Sequence, residues 1–201
     1  MASHKFSQEI EQWLTSKKTK TLNGLIEIFD EKSFAVLLMI LMFFPSLPIP
    51  TGGVTHFILL PIAMLLGLEL LIGRDTIWLP EKVKKRSLGA LAEKKVLPFL
   101  TKRIQWFERF ARPRMQWIFE LPGFSRSMGF LVILYALAAF FAPAFSGLDT
   151  LPALGVVVMS LGLILEDGLI YIMGIASGII GIVLAIAFGA AIAAAFQSLF
   201  N

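Results

Sequence analysis

The chain has 201 residues, 57% of them hydrophobic and 16% charged, with a formal net charge of +4. Soluble domains run nearer roughly 45–50% apolar and about 25% charged, and a domain of this size has too little interior to hide the surplus. The composition therefore excludes an ordinary soluble fold and points to lipid as the solvent.

Residues 1–33 carry five Lys against five Asp and Glu. They lack the short apolar core and small-residue cleavage site of a signal peptide, so the first hydrophobic segment is expected to remain as an anchor. Residues 4–29 predict an amphipathic helix, with Phe6, Ile10, Trp13 and Leu14 at i, i+4, i+7 and i+8. Such a stripe suits the headgroup plane of a bilayer or a face of its own protein.

Residues 33–44 form the first apolar run. The segment PSLPIPTGG, residues 45–53, must break any helix, and its Pro48, Pro50 and Thr51 are candidate binding positions because broken helices free backbone groups for ions or head groups. Residues 54–73 form a second run, long enough to span. It carries His56 near its start and Glu69 near its end, and stops at Arg74 and Asp75, with Trp78 as an interface anchor.

Residues 74–126 hold thirteen Lys and Arg against five Asp and Glu, whereas residues 127–201 have no Lys or Arg at all. A basic block between membrane-length apolar runs follows the positive-inside rule, so the partner predicted for it is an anionic lipid leaflet, not nucleic acid. Phe99, Leu100, Ile104, Phe107 and Ala111 recur at helical spacing among Lys102, Arg103, Arg109 and Arg112. That pattern predicts a helix lying on the membrane surface, since each central Arg or Lys would cost roughly 2.5–3.5 kcal/mol to bury in the bilayer.

Residues 127–142 are a third apolar run, and residues 142–152, APAFSGLDTLP, a second break with Pro143, Asp149 and Pro152. A fourth run, residues 153–165, ends at Glu166, Asp167 and Gly168. The remaining stretch, residues 169–200, is uncharged. As one helix it would run about 45 Å, beyond a ~30 Å hydrocarbon core, so it must tilt, kink, protrude or split into a hairpin. Gly174 and Gly178 form a GxxxG, and Gly189 with Ala193 a second small pair. These favour helix packing, either within the chain or in a homodimer.

Shifting the first hairpin by 97 positions places Phe43 and Phe44 on Phe140 and Phe141, and Leu68 and Glu69 on Leu165 and Glu166. The expectation is an all-α, polytopic membrane protein with two repeated hairpins, spanning or re-entrant, amphipathic surface helices, and a C-terminal transmembrane helix or hairpin. Within a single membrane domain, 1–201, it divides into residues 1–32, 33–75, 76–126, 127–168 and 169–201. The positive-inside rule makes the expected chain multi-pass with the basic midsection cytoplasmic. Both hairpins then open to the cytoplasm and the repeats are parallel.

Glu69, Glu166 and Asp167 are acidic groups in or at the edge of apolar helices, and such groups are functional hypotheses by default. If the repeat matches Glu69 with Glu166, the two lie at one depth, where they could carry a proton or hold a cation. Arg74, five residues beyond Glu69, is a candidate ion-pair partner. His56 has the chemistry to titrate near neutrality, although a lone His more often only hydrogen-bonds. The chain has no cysteine and two histidines, so thiolate and disulfide chemistry are excluded, no clustered transition-metal set exists, and no cofactor is expected. No triad spacing, GxGxxG, P-loop or HExxH occurs, so enzyme activity is not expected.

The motifs PSLPIPTGG, GRDTIWLP and TLPALGVVVMSLGLILEDG resemble the ExoD family of bacterial membrane proteins, with the last the most specific and the resemblance covering roughly residues 25–190. Membership implies a role in exopolysaccharide production and in tolerance of alkaline conditions, but supplies no catalytic residues. The family pattern often has Gln at the position of Glu69, which weighs against a mechanism needing two titratable carboxylates. The expected function is transporter- or permease-like, with proton or cation coupling. The alternative is a non-catalytic scaffold that gathers polysaccharide-synthesis proteins through its basic surface.

Overall fold

The computed structural model describes residues 6–16, 21–29, 32–47, 53, 55–74, 76–78, 94, 97–109, 111–142 and 147–200. Among these residues the elements are α1 (Phe6–Thr15), α2 (Leu22–Phe29), α3 (Ser33–Phe43), α4 (Leu60–Ile72), α5 (Leu97–Glu108), α6 (Phe124–Phe141), α7 (Thr150–Ile164) and α8 (Gly168–Phe200). A π-helical turn, Thr55–Leu59, runs into α4, and a 3-10 turn covers Gln116–Ile118. The fold is all-helical, as expected. Pro48, Pro50, Thr51 and Pro143 lie outside the described residues.

The single amphipathic helix expected over residues 4–29 is two helices instead. The Thr21 hydroxyl accepts the Gly24 N–H at 3.1 Å, the hydrogen bond of a helix N-cap, so α2 starts afresh after the run of lysines at 17–20. Trp13 is buried, α1 packs on α5, and α2 on α3. The described part of this region is thus docked on the protein.

Among the described residues three helices are long and apolar enough to cross a membrane: Thr55–Ile72, Phe124–Phe141 and Gly168–Ala191. α3 and α7 are not, at 11 and 15 residues. At 1.5 Å per residue they reach about 16 and about 22 Å, short of a ~30 Å core. Backbone that ends inside a bilayer must be walled by protein, and α3 is apolar all round and buried from Ser33 to Met39. Each helix of the first hairpin packs chiefly on a helix of the second, α3 on α7 and α4 on α6. The longer helices present Phe57, Ile72, Phe130, Phe141 and Ile186 outward, each more than half exposed, as lipid-facing surfaces do.

α8 is one helix of 33 residues, neither broken nor folded into a hairpin. It lies on α7 through glycines of both helices. A Cβ on Gly155 would sit 2.8 Å from the Gly178 backbone, one on Gly174 would collide with Met159, and one on Gly162 with Tyr171. The GxxxG pair is therefore used inside the chain. Gly67 and Gly129 make a similar close crossing of α4 and α6. Gly155→Ala is expected to lower the thermal unfolding midpoint of the detergent-purified protein, at an overpacking cost of roughly 1–3 kcal/mol. Gly189→Ala, whose Cβ meets nothing within 4 Å, should leave stability unchanged or raise it by up to about 1 kcal/mol. Equal midpoints for Gly155→Ala and the parent would refute the backbone-to-backbone crossing.

Candidate functional site

Four helix ends converge. Lys32 opens α3, Gly73 and Arg74 close α4, Gly123 opens α6, and Glu166 closes α7. Together they surround a cavity of about 630 Å³. Lys32, Arg74, Glu120 and Glu166 contribute charge, beside Gln116 and Ser125. Phe34, Leu70, Met128 and Leu163 form the apolar part, with Phe119 and Phe124 as walls. A second cavity of about 440 Å³ shares Phe119, Phe124 and Ser125 and adds Gly73 and Arg126. Both hairpins open at this one end, the parallel arrangement.

The ends of α4 and α7 are built alike. Gly73 has φ +85°, its N–H donates to the Leu70 carbonyl at 2.9 Å, and the Arg74 N–H donates to Glu69 at 3.0 Å. At α7 the equivalent left-handed position is Glu166, φ +54°, with its N–H to Leu163 at 3.2 Å and the Asp167 N–H to Gly162 at 2.9 Å. Both are Schellman ends. The structural counterpart of Glu166 is thus Gly73, not Glu69, which lies inside the last turn. One glutamate sits within its helix and the other is the residue past the end, so the two hold non-equivalent places.

Their surroundings differ accordingly. Glu69 is 5% exposed. Its Oε2 accepts the Trp78 backbone N–H at 2.8 Å, while Oε1 has no partner among the described residues. It makes no ion pair with Arg74, which is exposed and turned to the cavity. Glu166 is exposed and ion-paired to Lys32 Nζ at 2.7 Å, and the same ammonium donates to the Ile164 carbonyl at 3.2 Å. This pair ties the start of α3 to the end of α7. Solvent-exposed pairs contribute about 0–1 kcal/mol, so its importance is geometric.

Asp167 is 2% exposed and fully engaged. Oδ1 accepts the Leu169 N–H at 3.0 Å, capping α8, and Oδ2 accepts the Arg112 N–H at 3.0 Å. The Gly168 N–H donates to the Arg114 carbonyl at 2.8 Å. Asp167 therefore straps the basic segment to the foot of α8. An Asp immediately before a long apolar run is an N-cap signal, and that signal was legible at Asp167 and Gly168.

The surface residues are placed as follows. Leu97, Thr101 and Ile104 form the buried stripe of α5, whereas Phe99 points outward and carries the Arg103 guanidinium 5.1 Å from its ring centre. Ala111 lies beyond the helix. Lys102, Arg103, Arg109 and Arg112 are exposed, as are Trp106 and Trp117. At the other end of the bundle, His56 lies 6.3 Å from the Phe140 ring and its Nε2 has no partner among the described residues. Asp149 precedes α7 without a side-chain cap bond, and Pro152 is buried against Gly181. Lys32, Gln116, Glu120 and Arg126 went unnoticed in the sequence, because nothing local marks residues that meet only across four helix ends.

A family model described as exopolysaccharide synthesis, ExoD, matches residues 6–187. The uncharacterized protein slr1875 of Synechocystis is 32% identical over 174 residues, covering 83% of this chain and 78% of its own. Protein ExoD of Rhizobium meliloti is 28% identical over 155 residues, 75% of this chain and 62% of that protein. No solved structure matches the chain.

Asp167→Ala is expected to speed amide hydrogen exchange at Arg112 and Leu169 and to cost about 1 kcal/mol in lost capping, with more added if the Arg112 donor stays buried. Asp167→Asn, which keeps one acceptor oxygen, should fall between. Unchanged exchange at both amides would rule out the strap.

Proposed function

The chain belongs to the ExoD family of exopolysaccharide synthesis, and from that premise we propose that it is a permease-like protein of the bacterial cytoplasmic membrane. The observation that carries the reading is the cavity where both hairpins open, polar at the helix ends and apolar one turn further in. A passage for a lipid-linked or polysaccharide-related cargo needs such a mouth, and ligand sites in membrane bundles are found where helices end or break inside protein. The basic midsection attaches at the same end through Asp167, which by the positive-inside rule makes that end cytoplasmic. The role proposed is transport, not catalysis.

Glu69 is the coupling group in this reading. It is a carboxylate buried in an apolar helix, with one oxygen unengaged among the described residues, and such groups carry protons or hold cations. Glu166 and Asp167 are committed to an ion pair and a helix cap, so they hold the mouth in shape. Proton coupling would also account for the link to alkaline tolerance. The paired packing of α3 on α7 and α4 on α6 supports a duplicated hairpin, since exchanging the hairpins exchanges these contacts. A homodimer would have to use a face other than Gly174 and Gly178, which are occupied within the chain.

In proteoliposomes under a pH gradient, Glu69→Gln is expected to lower cation or proton flux at least tenfold while Glu166→Gln retains most of it. Wild-type flux from Glu69→Gln would remove Glu69 from the mechanism. The exposed basic and aromatic side chains of α5 favour a second reading, a scaffold for anionic lipid and polysaccharide-synthesis proteins. That reading expects charge reversal at Lys102, Arg103 and Arg109 to abolish exopolysaccharide output while Glu69→Gln leaves it intact.

A further inference from the structure

Among the described residues two arginines at the mouth make no hydrogen bond or ion pair through their side chains. Arg74 lies at the rim of the larger cavity and Arg126 at the rim of the smaller. Arg126 sits against Gly73, where a Cβ would be 3.3 Å from its Nε, so the two guanidinium-bearing residues flank the same helix end. Among the described residues neither side chain meets an acceptor, and Glu120, on the same lining, forms no ion pair with either. Lys32 is already neutralised by Glu166. Among the described residues the unpaired charges of the mouth are therefore two guanidinium groups and the Glu120 carboxylate, which leaves it net positive, and the planar guanidinium forks match phosphate oxygens two at a time. Leu70 and Met128, on the apolar side of the same cavity, lie one turn inside these helix ends, at the depth where a hydrocarbon chain continues from its headgroup.

We infer that the mouth binds a phosphorylated long-chain lipid, its phosphate held by Arg74 and Arg126 and its chain entering along Leu70 and Met128. The inference rests on the permease reading and names the chemistry of its cargo. The mixed lining, polar at the helix ends and apolar one turn in, distinguishes it from the exposed basic side chains of α5.

The test uses the full chain in neutral detergent and a radiolabelled long-chain isoprenyl phosphate. Saturable binding is expected, weakened at least tenfold by R74Q/R126Q in a preparation that elutes as the parent does, and partly restored in R74K/R126K. Competition by phosphatidylglycerol would identify the source as bilayer phospholipid, and resistance to it an isoprenyl carrier; both support the inference. It is overturned if R74Q/R126Q binds like wild type, if K102Q/R103Q weakens binding as much, or if inorganic phosphate or the phosphate-free isoprenol competes as well as the lipid. Binding without flux would defeat the permease reading alone, and flux without binding would defeat this inference alone.

Discussion

Glycine-mediated contact between helix backbones is the constraint on which the rest of the molecule depends. α7 is too short to cross a bilayer, so its ends must be covered by protein. Gly155 and Gly162 let α8 lie directly on it, reciprocated by Gly174 and Gly178. In lipid there is no hydrophobic drive to push helices together, and close van der Waals packing takes its place. Gly67 and Gly129 perform the same service for α4 and α6. With these crossings in place, α3 is enclosed by α7 and its neighbours, and the helix ends are brought to a common level.

The mouth is a consequence of that level. A Schellman end at α4 and another at α7 stop both helices at one face, and the chain leaves each in a left-handed residue. Glycine adopts that conformation freely at Gly73, whereas Glu166 adopts it with a side chain that can then reach Lys32. A residue that looked like an intramembrane acid is instead a clasp between two helix ends. The acid with an unengaged oxygen is Glu69, inside the last turn of α4. Asp167 holds the basic segment down on the foot of α8, so that segment and the cavity are mechanically joined.

Much of the architecture was legible because apolar run length and charge placement act locally. Helices over residues 33–43, 60–72, 124–141 and 150–164 follow the runs closely, since Pro, Gly and charged residues end helices wherever they occur. The small-residue face of Gly155 and Gly162 was legible too, because helical spacing places those positions together. The N-terminal helix was misjudged at its length, where the stripe of apolar residues hid the capping role of Thr21.

The sequence by itself determined a membrane-embedded helical chain with two apolar hairpins, a basic midsection and a family membership, because each of these depends on composition or on residues near one another. Only the tertiary structure decided that the counterpart of Glu166 is Gly73 and not Glu69, and that Lys32, Arg74 and Glu120 line one cavity with Arg126 on the cavity beside it. A shift of 97 positions aligned two glutamates as letters, but the depth of a residue is set by where its helix stops. That stop is made by backbone hydrogen bonds and by the neighbouring helix, which no local pattern specifies.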